Sequence, residues 1–290
     1  MFGFLRGKQK TMTGMDIGSS VVKCLRLDLQ QQPPVITHFA TADLAPEAIV
    51  DGEIMDRELV IQALQTCAEK AGLPKEPVAT AVSGRAVIVK KIVMDKMSAD
   101  DAREAIYWEA EQHVPFDIDD ITLDFEILDE DIGAGQMEIL LVAAKKDMVQ
   151  THAELIRDAG FTPMVIEVAS FANQNAWEFC QLQTQADAEP DEDAARVPAD
   201  IEADLLDEPP LDEIEEGDEE EDADDGEFIA MLDVGGDVTN VHIVKNGVPY
   251  FTRDLPIGTS HFVEEFQKQL GLTYETANAV AHGSVDEVDA

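Results

Sequence analysis

Hydrophobic and polar residues alternate in short runs that predict strands and helices along most of the chain. Strands are predicted at 14–17, 21–29, 35–41, 78–82, 86–94, 121–128, 137–145 and 161–168, and helices at 57–71, 99–113, 147–159 and 169–182. Gly72 and Gly160 end the first and third helices, and Ser98 begins the second with Asp101 three residues on. This order of elements is typical of a mixed α/β fold.

The pattern is interrupted at 187–227 and then resumes. This stretch holds 22 acidic residues, one basic residue and four prolines. Such a composition buries too little apolar surface to offset the entropy of ordering, so we predict a disordered insertion. A docking site for a basic partner is the alternative. Strands are predicted again at 228–234, 238–244 and 248–255, with a type I′ turn at Asn246-Gly247, followed by helices at 259–270 and 273–281.

Charge, length and cysteine content narrow the class of protein. The 290 residues allow two domains. A formal net charge of -41 repels nucleic acid and anionic lipid. The longest apolar stretch, 139–144, is far shorter than the roughly 18 residues of a membrane span. Three scattered cysteines fit a reducing cytosol better than a disulfide framework, so we predict a cytoplasmic protein with no transmembrane segment and no nucleic-acid partner.

One nine-residue pattern occurs twice. Met15–Lys23 aligns without gaps on Leu232–Asn240. Each copy reads as a strand, an Asp-apolar-Gly sequence, a two-residue turn and a second strand. The repeat predicts two similar domains that face each other, each presenting the same hairpin.

The residue types in these hairpins suit phosphate. Turn glycines let backbone N–H groups approach anionic oxygens, and hydroxyl groups and a lysine add donors and a cation. Carboxylates at the strand ends, Asp16 and Asp233, could hold Mg²⁺ through water, because this ion keeps several of its waters. Two hairpins would then clamp one polyphosphate. The candidate binding residues are Asp16, Gly18, Ser19, Ser20, Lys23, Asp233, Gly235, Gly236, Thr239 and Asn240.

These residues carry a resemblance to a known fold. The run from Asp16 to Lys23 resembles the first phosphate motif of the actin/hexokinase-type ATPase fold, and the run from Asp233 to Asn240 resembles the second. More narrowly, the chain resembles the PilM family of actin-like type IV pilus assembly proteins. The supporting stretches, in the order of the family, are AIVDGEIMD at 48–56, AVSG at 81–84, VPFDIDD at 114–120 and TRDLPIG at 252–258.

The resemblance implies a division of the chain into two lobes. The first actin-like subdomain would comprise 12–86 and 161–182, with 87–160 as an inserted, FtsA-like subdomain. A flexible tail at 1–11, the acidic insertion at 183–227 and an incomplete second lobe at 228–290 complete the expected organisation. Members of the family continue past the equivalent of Ala290 into an adenosine-binding segment with three glycines, so the chain is expected to be truncated at its C terminus.

The resemblance also implies a function. The chain would bind ATP and Mg²⁺, and a groove between the first and inserted subdomains would take the cytoplasmic N-terminal peptide of the inner-membrane protein PilN. Such a protein would be cytoplasmic and reach the inner membrane through PilN and other platform and motor proteins; a homo-oligomer or ring is left open. Where the family has an aspartate followed two residues later by an acid, this chain has Glu167 and Ala169. We therefore expect weak or no ATP hydrolysis and assign no catalytic residue.

Two alternatives come from the same superfamily. A small-molecule kinase needs an aspartate base near the γ-phosphate, and the plausible position for it, 78–84, contains no acid. An FtsA-like division protein would carry a C-terminal membrane-binding amphipathic helix, whereas residues 283–290 are acidic and predict none.

Overall fold

The computed structural model describes residues 10–50, 52–187 and 226–283, so nearly all of the predicted insertion and tail lies outside the described residues. The strands are β1 (Thr11–Ile17), β2 (Val21–Asp28), β3 (Val35–Asp43), β4 (Ile49–Val50), β5 (Glu53–Ile54), β6 (Pro77–Val82), β7 (Val87–Asp95), β8 (Ile121–Gly133), β9 (Gln136–Lys145), β10 (Thr162–Val168), β11 (Phe228–Val234), β12 (Thr239–Lys245) and β13 (Val248–Leu255). The helices are α1 (Arg57–Ala71), α2 (Ala99–His113), α3 (Lys146–Asp158), α4 (Ala169–Asp187), α5 (Thr259–Leu270) and α6 (Tyr274–Ala281). All predicted elements are present.

A five-stranded sheet forms the centre of the first lobe, in the order β10-β6-β1-β2-β3. Strands β1, β6 and β10 run parallel to one another, and β2 and β3 continue the sheet antiparallel. The carboxyl ends of the three parallel strands therefore meet at one edge. Ligands bind at such edges in open α/β sheets, and the first glycine turn follows β1 there.

Helices α1 and α3 pack on one face of this sheet. Helix α1 begins at Asp56, whose carboxylate accepts from two backbone N–H groups, and ends at the left-handed Gly72. Its apolar stripe and that of α3 fill one core with the sheet. The fully or nearly buried members of this core include Met15, Val22, Cys24, Val60, Leu64, Cys67, Val78, Leu155 and Ile156.

A separate core lies between α2 and a second sheet, of order β7-β9-β8. Ile106 of α2 shares this core with Ile139 and Leu141 of β9. This unit corresponds to the predicted inserted subdomain, whose limits remain a prediction. Because Leu155 and Ile156 of α3 belong to the core of the first sheet, we propose that the inserted unit ends before α3 rather than at residue 160.

The second lobe is built on the antiparallel sheet β11-β12-β13, with α5 and α6 packed together beside it. Asn246 and Gly247 join β12 to β13 and both have positive φ, 52° and 78°. This confirms the predicted type I′ turn, which requires positive φ at both central residues. Helix α4 runs from the end of β10 and contacts β6 of the first lobe and β12 of the second.

A half-buried ion pair fixes the β1–β2 hairpin at the end away from its glycine turn. Arg26 Nε donates to Glu76 Oε1 at 2.6 Å, and Thr13 Oγ1 donates to the same oxygen at 2.6 Å. The hydrogen bond from Arg26 is the main reason why the pKa of Glu76 lies below its ordinary value, against the opposing effect of burial.

Replacing Glu76 with glutamine should lower the free energy of unfolding at neutral pH by about 1–3 kcal/mol, because Arg26 loses a charged acceptor. Since the folded-state pKa is lowered, this stabilisation is present above the unfolded pKa, near 4.3, and is lost as the pH falls through the folded value. Urea unfolding of wild type and variant should thus converge at about pH 3. The exposed Glu69→Gln should match wild type at both pH values, and a difference that persists in acid would contradict the assignment.

Candidate functional site

The two repeated hairpins have the same turn. Gly18 N–H donates to Val21 O at 3.2 Å, and Gly235 N–H donates to Val238 O at 3.0 Å. A Cβ at Gly18 would lie 3.0 Å from Val21 O, and one at Gly235 would lie 2.8 Å from Val238 O. In both copies, therefore, the first glycine is required because the carbonyl that closes the turn occupies the space of a side chain.

The two turns contact each other across the lobes. The backbone N–H of Asp237 donates to Ser19 Oγ at 3.2 Å. Gly236 faces Ser20 so closely that a Cβ on it would lie 2.3 Å from Ser20 Oγ. The structure thus places two turns that lie more than 200 residues apart in the sequence at one junction, with their hydroxyl and backbone donors next to each other.

Lys23 pairs with Asp16 beside the first turn and lies within the electrostatic influence of Asp233 beside the second. Lys23 Nζ lies 2.9 Å from Asp16 Oδ2, and both side chains are about half exposed, 50% and 58%. Partial burial acts to lower the pKa of Lys23, but the hydrogen bond and charge of Asp16 and the charge of Asp233 outweigh it and raise that pKa. Asp233 Oδ2 accepts from Asn173 Nδ2 at 3.4 Å. The predicted cation is therefore paired with a predicted metal ligand.

Thr239 and Asn240, predicted to face phosphate, are engaged elsewhere. Thr239 Oγ1 donates to Ile257 O at 2.6 Å. Asn240 Nδ2 donates to Asp254 Oδ1 on the neighbouring strand β13. Their side chains hold the second hairpin to the segment that precedes α5, and they are not among the donors gathered where the turns meet.

The start of α5 supports the second turn, although Thr259 and Ser260 were not among the predicted site residues. The backbone N–H groups of Thr259 and Ser260 donate to Gly235 O and Gly236 O, both at 2.9 Å. Ser260 Oγ also donates to Gly236 O at 2.8 Å and lies 2.9 Å from Asp237 Oδ1. The only signal in the sequence was the Pro-Ile-Gly of TRDLPIG. This motif does not predict that the start of α5 contacts the turn at Gly236, which lies 22 residues earlier.

A buried polar pair lies beneath the first turn. Thr80 Oγ1 and His152 Nε2 are 2.7 Å apart, and both residues are buried. Burial lowers the pKa of His152 to about 4, with a smaller opposing effect from the charge of Asp16. His152 is therefore uncharged at neutral pH. At the start of α4, Ser170 is 1% exposed and its hydroxyl has no partner among the described residues.

The structure has one cavity beside the second hairpin and another on the inserted unit. One of about 300 Å³ lies between α4 and the β11–β12 pair and is lined by Asn173, Trp177, Met231, Leu232, Asp233, Asn240 and His242. The other, of about 400 Å³, lies on the inserted unit between α2, β8 and the start of α3. Its lining includes Tyr107 and Trp108, and Trp108 is 72% exposed.

The donor set fits a phosphate chain and a hydrated Mg²⁺. Hydroxyls and turn N–H groups suit phosphate oxygens, and the exposed carboxylates of Asp16 and Asp233 suit an ion that keeps its waters. Among the residues described, no three histidine, cysteine or acidic side chains form a cluster that could hold a metal directly. The residues therefore fit Mg²⁺ bound with phosphate rather than a metal held in a protein cage.

The family model of the type IV pilus assembly protein PilM matches residues 14–204. The chain belongs to the PilM family. Among solved structures, a PilM–PilN type IV pilus biogenesis complex aligns at 24% identity with a TM-score of 0.69, over 93% of this chain and 68% of that one. The ethanolamine utilization protein EutJ from Carboxydothermus hydrogenoformans aligns at 12% identity with a TM-score of 0.47, over 94% of this chain and 61% of that one. The cytoplasmic domain of EpsL, an inner-membrane component of the type II secretion system of Vibrio cholerae, aligns at 9% identity with a TM-score of 0.44, over 91% and 77%.

The predicted PilM family and actin-like ATPase fold are confirmed, and with them a role in type IV pilus assembly. Within the described ranges of this PilM-family chain, no helix is long and apolar enough to cross a membrane.

Proposed function

We propose that this PilM-family protein binds Mg·ATP between its two turns and couples the bound nucleotide to capture of the cytoplasmic N-terminal peptide of PilN. The observation that carries the proposal is the contact between the turns, in which Asp237 N–H donates to Ser19 Oγ. A ligand that binds at this junction contacts both lobes at once. It can therefore favour one relative placement of the lobes, as coupling between sites requires.

The phosphate chain would be held by the turn N–H groups and by the hydroxyls of Ser19 and Ser20. Mg²⁺ would neutralise phosphate charge and lie, through its waters, near Asp16 and Asp233. The contact between the turns implies that they separate when phosphate enters. Lys23 would then divide its charge between Asp16 and the phosphate. Thr239 and Asn240 would act less directly, by holding the hairpin in place.

The PilN peptide would bind at the cavity beside α2, where the inserted unit meets the start of α3 and where aromatic and charged side chains lie together. Exposed aromatic side chains with an adjacent cavity are typical of peptide-binding surfaces. Lys146, the first residue of α3, lines this cavity and donates to Asp119 O at 2.6 Å. Because α3 also packs against α1, occupation of the cavity can affect the first lobe.

Trp108→Ala should weaken binding of a synthetic peptide containing the cytoplasmic N-terminal residues of PilN by at least about tenfold, since a central aromatic side chain is often a hot spot. The melting temperature should stay the same because Trp108 is 72% exposed. Fluorescence anisotropy with labelled peptide measures the change. The matched control is Phe262→Ala, an exposed aromatic residue on α5, which should bind the peptide as wild type does.

Isothermal calorimetry tests the coupling itself. Mg·ATP is titrated into the protein with and without saturating PilN peptide, and the peptide with and without Mg·ATP. The peptide should change the affinity for Mg·ATP by some factor, and Mg·ATP should change the affinity for the peptide by the same factor, because coupling between binding sites is reciprocal. Affinities that do not respond to the other ligand would refute the coupling, and absence of Mg·ATP binding would refute the nucleotide site.

We expect the protein to hydrolyse ATP slowly or not at all. Glu167 Oε1 accepts from the backbone N–H of Val168 at 3.0 Å, which holds the carboxylate against its own main chain. Ala169 offers no acid. The protein would act as an assembly component in the cytoplasm that reaches the inner membrane through PilN and other platform and motor proteins.

A further inference from the structure

Helix α4 follows the first lobe in the chain but forms hydrogen bonds with the second lobe. It begins at Ala169, directly after β10. Asn173 donates to Asp233, and the side chain of Gln174 reaches both β12 and the β12–β13 turn. Helix α4 is therefore a second place, besides the glycine turns, where the two lobes are joined.

Gln174 and His242 form the centre of this contact and are buried, with 7% and 1% of their surface exposed. Gln174 Nε2 donates to Gly247 O at 2.8 Å and to Glu178 Oε1 at 2.7 Å, which uses both amide hydrogens. Gln174 Oε1 lies 3.0 Å from His242 Nε2 and must accept from it. The hydrogen-bond network thus assigns the proton of the uncharged ring to Nε2.

The other ring nitrogen also has a partner. His242 Nδ1 lies 2.7 Å from Thr252 Oγ1 and, with the proton on Nε2, accepts from that hydroxyl. Burial lowers the pKa of His242 and so favours the uncharged ring. All polar atoms of the Gln174 amide and the His242 ring are therefore satisfied in the placement of α4 against β12 that the structure shows.

We propose that the hydrogen bond between Gln174 and His242 fixes the angle between the lobes, and we call this residue pair the joint. Both residues then act as positioning residues for the nucleotide site. The inference rests on the proposed function. His242 lies three residues after Thr239, the first residue of β12, so the joint is about 10 Å from the turns. A small rotation at the joint then changes the gap in which the phosphate chain is proposed to bind.

A buried polar contact suits a joint because it resists displacement. Apolar surfaces can slide over one another at little cost, whereas a buried amide or imidazole that loses its partner bears the full cost of desolvation. Removing both partners together avoids that cost, and the atoms left behind can reach water. Gly247 is exposed, and Glu178 and Thr252 are half-buried.

The test compares Gln174→Leu, His242→Leu and the double variant in the full chain. Each single change should lower the melting temperature, and the double change should restore it in part. Spin labels at Gln65 of α1 and Glu264 of α5, both exposed, report the distance between lobes in a Cys180→Ser background. In the double variant this distance distribution should broaden, and Mg·ATP should bind about tenfold more weakly.

Gln181→Leu is the matched control, because it makes the same change on an exposed position of the same helix. It should keep the wild-type distances and affinity. If the double variant is stable and its label-to-label distances are as narrowly distributed as in wild type, the proposed role of the joint is wrong, whether or not ATP binds. A wild-type chain that binds no Mg·ATP would overturn the proposed function instead, while the label distances would still decide on the joint.

Discussion

Replacing Gly258 with alanine is expected to lower the melting temperature by about 5 °C and to weaken Mg·ATP binding at least tenfold. A Cβ at this position would lie 2.2 Å from Gly236 O and 2.7 Å from Asp237 N. Both are backbone atoms of the second turn, so no side-chain rotation relieves the overlap. Either the start of α5 or the turn must move, and the hydrogen bonds from Thr259 and Ser260 would be lost.

The cause is lack of space rather than an unusual backbone conformation. Gly258 has φ -145° and ψ -170°, which any residue adopts. The matched control is Gly14→Ala, where a Cβ would come no closer than 3.9 Å to Leu25 O, so stability and binding should remain near wild type. Differential scanning calorimetry and Mg·ATP titration measure both effects. A Gly258→Ala protein with unchanged melting temperature and affinity would show that α5 does not support the turn.

The contrast between Gly18 and Gly258 explains how far the sequence could predict the site. Gly18 belongs to a local pattern, a strand that ends in Asp-apolar-Gly before a tight turn, and the pattern occurs again at Gly235. Local patterns of this kind can be read without a structure. Gly258 is required only because the start of α5 approaches the backbone of Gly236, a contact that no local pattern encodes.

The same reasoning applies to the side chains around the turns. The residue types of Lys23 and Thr239 suggested phosphate donors, but the sequence could not reveal that their present partners are Asp16 and Ile257 O. Likewise, Gln174 carries no signal in a helix rich in polar residues, and its role follows from His242 and Gly247, both in the other lobe.

The fold was predicted more completely than the site because strands and helices follow from local periodicity. Predicted element ends differ from the observed ones by up to five residues, at β8 and α4. The short strands β4 and β5 were not predicted, since two residues are too few to show a period of alternation.

Replacing Asp16 or Asp233 with alanine is expected to abolish Mg·ATP binding while leaving the fold intact. Each carboxylate lies at the junction of the turns, where it would receive Mg²⁺ through water, and its charge acts on Lys23. The melting temperature should barely change. The side chain of Asp16 is 58% exposed, and an exposed ion pair such as that with Lys23 contributes little to stability.

A control variant distinguishes loss of a metal ligand from loss of a negative charge. Asp43→Ala removes the same charge from an exposed position on β3, opposite Val21 and close to the first turn, and should bind Mg·ATP as wild type does. Calorimetry with ATP in the presence of a chelator adds a second test. If the aspartates act through Mg²⁺, the variants should bind more weakly than wild type only when the metal is present. Without it they should bind ATP at least as tightly as wild type, because a carboxylate with no metal beside it repels the phosphate chain. Equal affinities for Mg·ATP in wild type, Asp16→Ala and Asp233→Ala would remove both residues from the site and with them the proposal that the paired turns hold a nucleotide.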